Sequence, residues 1–417
     1  MEDAAKLTKK RWFIMAISCL ISLTLGILYS WSVFAKPLCQ EFGVADLSYI
    51  FTIANLVGPI TMIPGGYIND RFGPRKLIFF GGLIYGLSLF LSGFAKSPGM
   101  LIVTYSLGVG LSMSVVYGCM IANSVKFFPD YRGLAGGIAT ASFGISGMVL
   151  PLLTNTLMEQ FGVQASFWIM GVVFAVINCG GALFMEKCPD NFIPEGWIPP
   201  KREEAGTSST DRASVNKTWK EMLQDSIFYI MLLMLTCGAT CGLMIISNAS
   251  VIAQNLMGMD AASAAGVVSV LFLFNTGGRI IAGYLSDRIG RIGTLRIAMV
   301  LALVGLFLLH ISGKTAILQF YAGVGLVGFC FGTFMGVFPG FTADQFGPKY
   351  NTVNYGIMWI GFSLAGLVGP SILTSVYKAT GGYQLAFLLA AAIASAGLVL
   401  SVIYSYMNRK RQIQGSK

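Results

Sequence analysis

Charge is what this sequence has least of. Only 11% of its 417 residues are charged, against about 25% in soluble domains, while 55% are hydrophobic. Apolar runs of about 20 residues recur along the chain, and the mean hydropathy is +0.72, which excludes an ordinary water-soluble domain. Histidine occurs once, as His310, at the outer end of an apolar run, where it reads as an interfacial residue rather than a proton relay. The 18 acids all fall in loops or at the ends of apolar runs, so no embedded carboxylate is present for such a relay. Of the eight cysteines, Cys19, Cys119, Cys179, Cys237, Cys241 and Cys330 lie inside apolar runs. No CxxC pair or Cys/His cluster occurs, so neither a disulfide framework nor a metal site is expected, and nothing calls for a cofactor.

What is present is a series of hydrophobic segments. Apolar runs between charged or Pro/Gly-rich breaks predict an all-α membrane protein with twelve transmembrane helices, near 12–35, 48–68, 77–95, 99–124, 134–157, 165–185, 226–250, 262–285, 294–312, 316–339, 352–376 and 383–407. The first run begins at Trp12 and has no small-residue cleavage site before Lys36, so it reads as a retained span rather than a signal peptide. A polar stretch containing KREEAGTSSTDRASVNK divides the spans six and six. Residues 1–186 and 225–417 are then two six-helix bundles joined by a loop at 187–224.

The net charge of +10 reports topology rather than nucleic-acid binding. With both termini cytoplasmic, the external loops hold only Lys36, Lys96, Lys314 and Lys378. Of the 28 Lys and Arg, these four and Arg279 leave 23 on the cytoplasmic side. The expected location is a plasma (inner) membrane, crossed many times.

The two halves echo one another. GGYINDRFGPRK (65–76) follows the second span and AGYLSDRIGR (282–291) the eighth, with Asp70 and Asp287 at equivalent places. FFPDYRG (127–133) pairs with QFGPKYN (345–351), and Pro151 with Pro370, at nearly the same offset. Two related halves arranged in parallel are an architecture that membrane carriers use for rocking about a midplane site.

One cation stands inside a span. Arg279 lies in LFLFNTGGRIIAGYLSDRIG (271–290), on a helical stripe with Asn275, Gly283 and Ser286. At about 2.5–3.5 kcal/mol for a central arginine, this residue is expected to face the interior, although its stem is long enough to snorkel. No embedded acid is available to pair with it. Its partner is then a mobile anion, and one planar guanidinium suits one carboxylate.

The two Asp-Arg-x-Gly loops resemble the signature of the major facilitator superfamily. They appear as Gly66, Asp70, Arg71, Gly73 and Arg75, and as Gly283, Asp287, Arg288, Gly290 and Arg291. A carboxylate at such a helix end is suited to bind the next helix's N-terminal amides and the loop arginines, latching one conformation. YSWSVFAKP (29–37), VYGCMIANSVKFFPDYRGLAGG (116–137) and NYGIMWIGFSLAGLVG (354–369) are similar to the oxalate/formate antiporter and monocarboxylate transporter branch. The resemblance implies that Arg279 binds substrate carboxylate, that Tyr29, Tyr117 and Trp359 line the site, and that Asn55 is its polar residue in the second span. It also marks departures. Phe362 stands where oxalate carriers have a second cation, and Met335 where they have a tyrosine. Asn275 stands where animal monocarboxylate carriers have an aspartate implicated in proton coupling.

The expected protein is therefore a monomeric secondary carrier of lactate-, pyruvate- or formate-like monocarboxylates rather than an enzyme. Either a proton or a counter-anion would be the coupled species. Gly144, Gly147 and Pro151, with Gly366, Gly369 and Pro370, are expected at points of close packing or bending. The alternatives are an oxalate/formate-type exchanger and a carboxylate receptor that does not transport. A drug or organic-cation exporter would want embedded acids, which are lacking.

Overall fold

A chain that crosses hydrocarbon must satisfy its backbone hydrogen bonds internally, and among the described residues the spans do so entirely as helices. The computed structural model describes residues 2–189, 192–198, 216–313 and 315–414; Lys314 and residues 199–215 of the central loop lie outside them. The first span is α1 (Glu2–Leu25), a 3-10 turn (Gly26–Ser30) and α2 (Trp31–Phe42). The second is α3 (Ser48–Leu56) with α4 (Gly58–Phe72), interrupted at Val57 just before Pro59, and the third is α5 (Pro74–Ser92). The fourth starts as α6 (Pro98–Leu101), passes through a π-helical stretch (Ile102–Val109), and ends as α7 (Gly110–Phe127).

The next helix, α8 (Arg132–Phe184), has 53 residues, about 80 Å of rise, where a bilayer core needs ~30 Å. Gly162, at φ 82° and ψ 172°, breaks it into two crossings. The sequence predicts separate spans with a loop from 157 to 165; the structure replaces that loop with a single glycine kink.

The second half contains α9 (Trp219–Leu223), α10 (Ser226–Ile246), α11 (Ala249–Met257), α12 (Ala261–Ile289), α13 (Arg291–Ile311), α14 (Ile317–Phe346), α15 (Asn351–Thr380) and α16 (Gln384–Gln414). The predicted 226–250 span is divided in two, because the chain bends at Ser247 and Asn248 before α11. At the start of this half the buried Asp225 caps α10 and pairs with both Lys217 and Arg411, tying the end of the central loop to the last helix. Burial opposes ionisation of Asp225, but hydrogen bonds from Arg411, Lys217 and the Ile227 amide outweigh it and hold its pKa down to about 2.

Helix α12 is the centre of the assembly, packed between α8 of the first half and α14 of its own. Small residues let the backbones touch. A methyl group on Gly137 of α8, or on Gly332 or Gly336 of α14, would collide with the backbone of α12 between Asn275 and Arg279. Gly133 and Gly283 likewise face each other across the halves.

Candidate functional site

The glycine contacts enclose the turn of α12 that carries Arg279. All four residues of the sequence stripe are buried, with Asn275 at 0%, Arg279 at 1% and Ser286 at 2% exposure, and Gly283 against Gly133. Arg279 therefore does not snorkel. Its Nη1 donates to the Thr140 carbonyl on α8 at 2.6 Å, and its Nε donates to Asn275 Oδ1 at 2.9 Å. The guanidinium carbon lies 5.9 Å from the Phe331 ring centroid, and the hydroxyls of Tyr29 and Tyr117 are beside it.

Guanidinium has five N–H donors, and two of them are engaged by these two bonds. Among the described residues no carboxylate pairs with Arg279. Accepting from Arg279 orients the Asn275 amide and leaves its buried Nδ2 donor without a partner; the nearby Thr276 hydroxyl is also unpartnered. The site is rich in donors and poor in acceptors, which is the electrostatic complement of a small anion.

Aromatic rings surround this polar centre. Tyr29 meets Phe143 edge-on at 5.3 Å, Phe143 meets Tyr117 at 5.0 Å, and Tyr117 meets Trp359 at 5.2 Å. Trp359 stacks on Phe362 at 4.3 Å, and Phe362 lies 6.3 Å from Phe331, completing a ring of contacts back to Arg279. The 3-10 turn brings Tyr29 into this ring. Gly26 in that turn abuts Ser146, so the first span can lie against α8 only without a side chain there. Gly144 gives the guanidinium room on the α8 side, since a methyl group there would approach Nε to 3.3 Å.

Of the sequence-predicted site residues, Arg279, Asn275, Tyr29, Tyr117, Trp359 and Phe362 come together. Met335 is buried one turn from Phe331 on α14. Asn55 meets the site by its backbone: its carbonyl accepts from Ser363, next to Phe362, while its side-chain amide donates to the Phe51 carbonyl of its own helix. Thr140, Phe143, Phe331 and Phe272, whose ring meets Tyr29 at 4.9 Å, are not legible in the sequence. The chain has 30 phenylalanines, and nothing in a local window distinguishes a site ring from a packing ring.

A second arrangement closes one end of the bundle beside the site. Asp70, ending α4, accepts from the Thr352 hydroxyl at 2.6 Å and the Val353 amide at 3.2 Å, at the N-terminus of α15. Asp287, ending α12, accepts from the Gly133 and Leu134 amides at 2.9 and 2.8 Å, at the N-terminus of α8. Each half thus places its carboxylate on a helix N-terminus of the other half, where the helix dipole favours an anion. From the sequence pattern, the expected amide donors are those of the next helix in the chain. The close approach of the halves at this end supplies the partners instead.

The signature glycines Gly73 and Gly290 have φ of 87° and 86°, values that the tight turn into the next helix requires and that favour glycine. The cations also differ from expectation. Arg291 binds Asp287 at 2.7 Å, but Asp70 takes Lys126 at 2.6 Å rather than Arg71 or Arg75. The residue after Gly290 is Arg291, whereas the residue after Gly73 is Pro74. Arg75 is therefore one position further on, about 100° around the helix. Arg288 donates to the Tyr284 hydroxyl instead of to Asp287.

Comparison with known proteins agrees with this architecture. Residues 12–370 match the Major Facilitator Superfamily. The oxalate:formate antiporter of Oxalobacter formigenes is 28% identical over 385 residues, covering 91% of this chain and 88% of the relative. Monocarboxylate transporter 12-B of Danio rerio is 26% identical over 426 residues, covering 96% of this chain and 89% of the relative. The fold matches the crystal structure of the transporter FucP in the outward conformation with a TM-score of 0.71 and 14% identity, covering 95% of this chain and 99% of that one. The chain belongs to the Major Facilitator Superfamily and is a multi-pass membrane transporter rather than an enzyme.

Proposed function

We propose that this transporter carries small monocarboxylates by alternating access, with Arg279 as the carboxylate-binding cation. The carrying observation is a fully buried guanidinium with spare donors, flanked by two tyrosine hydroxyls and an unpartnered amide N–H, and, among the described residues, with no carboxylate paired to it. The substrate completes the ion pair, and its arrival lowers the cost of closing an apolar cavity around the charge.

A single cation favours a single negative charge. Phe362, stacked on Trp359, presents an apolar wall where the resemblance to oxalate carriers implies a second cation, and such a wall suits the methyl group of a lactate- or pyruvate-like acid. Asn275 holds the arginine as a titrating aspartate would, but takes up no proton, so coupling falls to an exchanged anion or to a proton carried with the substrate. The latch end and both termini face the cytoplasm, following the distribution of Lys and Arg.

Reconstitution into liposomes tests this reading, using labelled formate, lactate, pyruvate and oxalate with and without a pH gradient or internal counter-substrate. Monocarboxylate uptake that Arg279→Gln abolishes, in a protein that still inserts and melts normally, is the expected result. Near-normal uptake by that variant sinks the site assignment. Oxalate preferred over the monocarboxylates favours the exchanger reading, and binding without uptake favours a receptor.

A further inference from the structure

The Asp70 latch leaves positive charge unused beside an apolar groove. On the outer surface of the first half, α4, α5, the π-helical stretch and α7 enclose a groove of about 780 Å³, walled by Phe72, Leu77, Phe80, Val103, Leu107 and Val115, with Lys76 at its rim. From Lys76 to Ile84 the groove rises about 12 Å along α5, within one ~15 Å leaflet. Part of its wall is the eight-residue π-helical stretch, an uncommon backbone form often found at functional sites.

Four cations cluster at its latch end. Arg71, Arg75, Lys76 and Lys187 are exposed, and none is in an ion pair among the described residues. The stem of Lys187 packs over Gly73 in the groove wall, and its Nζ donates to the Arg71 carbonyl at 3.2 Å. The nearby acids are committed elsewhere: Asp70 to Lys126 and α15, Glu186 to Lys10. The rings of Tyr67 and Phe72 beside the cluster are exposed, and an exposed tyrosine suits the level of lipid headgroups.

We propose that this groove seats an anionic phospholipid, its phosphate held by Arg75 and Lys76 with Arg71 and Lys187 alongside, and one acyl chain lying against the π-helical stretch. Pro74 is what makes the seat. It removes the cation that in the second repeat, as Arg291, turns inward to the aspartate, and the next residue points toward the lipid instead. The second repeat's counterpart is consumed by Asp287 and Asp344. This inference is independent of the monocarboxylate reading.

The test uses the full chain purified in detergent. Lipid binding is followed by native mass spectrometry and by melting temperature, with phosphatidylglycerol, phosphatidylcholine and inorganic phosphate as separate probes. Phosphatidylglycerol is expected to bind and stabilise where the other two do not. At about 1 kcal/mol per interfacial cation, the double variant Arg75→Ala/Lys76→Ala lowers phosphatidylglycerol affinity about thirty-fold. Leu107→Trp, which fills the groove without touching the cations, also lowers it, whereas Arg409→Ala/Lys410→Ala on the last helix does not. Lipid-free melting temperatures near that of the unaltered protein verify that the variants fold. Equal losses in the two double variants mean diffuse surface charge and overturn the proposal; so does phosphate binding as well as the lipid, or a Leu107→Trp variant that binds normally.

Discussion

Asp287→Asn separates a switching latch from an inert loop cap. In the closed end the carboxylate accepts two amide N–H bonds from α8 of the other half, at 2.9 and 2.8 Å, as well as the bond from Arg291. An asparagine of the same shape keeps one acceptor oxygen, but its NH2 group would face the second amide, donor against donor. One charge-assisted bond across the halves is lost and the other becomes a neutral one. At ~1.5–3 kcal/mol for a bond to a charged group and about 1 kcal/mol for a neutral one, the closed end loses roughly 2–5 kcal/mol. That shifts the ratio of opened to closed latch ends by at least about thirty-fold. The Asp70 contacts on α15 remain, so the protein should stay folded. Spin labels at two exposed positions on opposite halves, Lys187 and Arg409, would report the separation by electron–electron double resonance. The expected outcome is a longer-distance population that grows in Asp287→Asn without substrate. An unchanged distance distribution in a folded variant would refute the switching role and leave Asp287 as a helix cap.

Two further substitutions probe the site and its packing. Phe362→Lys places a second cation across the aromatic ring from Arg279. One added charge-assisted bond of ~1.5 kcal/mol should raise oxalate affinity about tenfold at the expense of monocarboxylates, and competition binding that shows no gain for the dianion counts against the pocket geometry. Gly332→Ala drives a methyl group into the Asn275 carbonyl and to 3.1 Å from the Arg279 amide nitrogen. Overpacking of this kind costs about 1–3 kcal/mol, so both melting temperature and substrate affinity should fall. Gly180→Ala on α8, where nothing lies within 4 Å, serves as the matched control and should leave both unchanged or raise the melting temperature slightly.

The sequence by itself determined the class of the molecule, its crossings, its internal repeat and its one embedded cation. Those properties are written in single residues and short windows: a 20-residue apolar run has few alternatives to a spanning helix, and a charge inside it is costly enough to mark an inward face. Gly73 and Gly290 were legible only as members of the repeated signature loop, and the structure supplies the reason for them, a positive φ at each. The tertiary structure decided what each marked residue touches. Asp70 reaches Thr352 and Val353 of the other half, 282 and 283 residues away, and Arg279 reaches the Thr140 carbonyl through a gap that Gly137, Gly144 and Gly332 leave open. The pairing of Asp70 with Lys126 and the release of Arg75 toward lipid followed from a rotation of about 100° after Pro74, set by one residue but readable only once the helices were placed. Among apolar helices rich in phenylalanine, the rotation and depth of each span are fixed by small-residue contacts with its neighbours, and those contacts have no local signature in the chain.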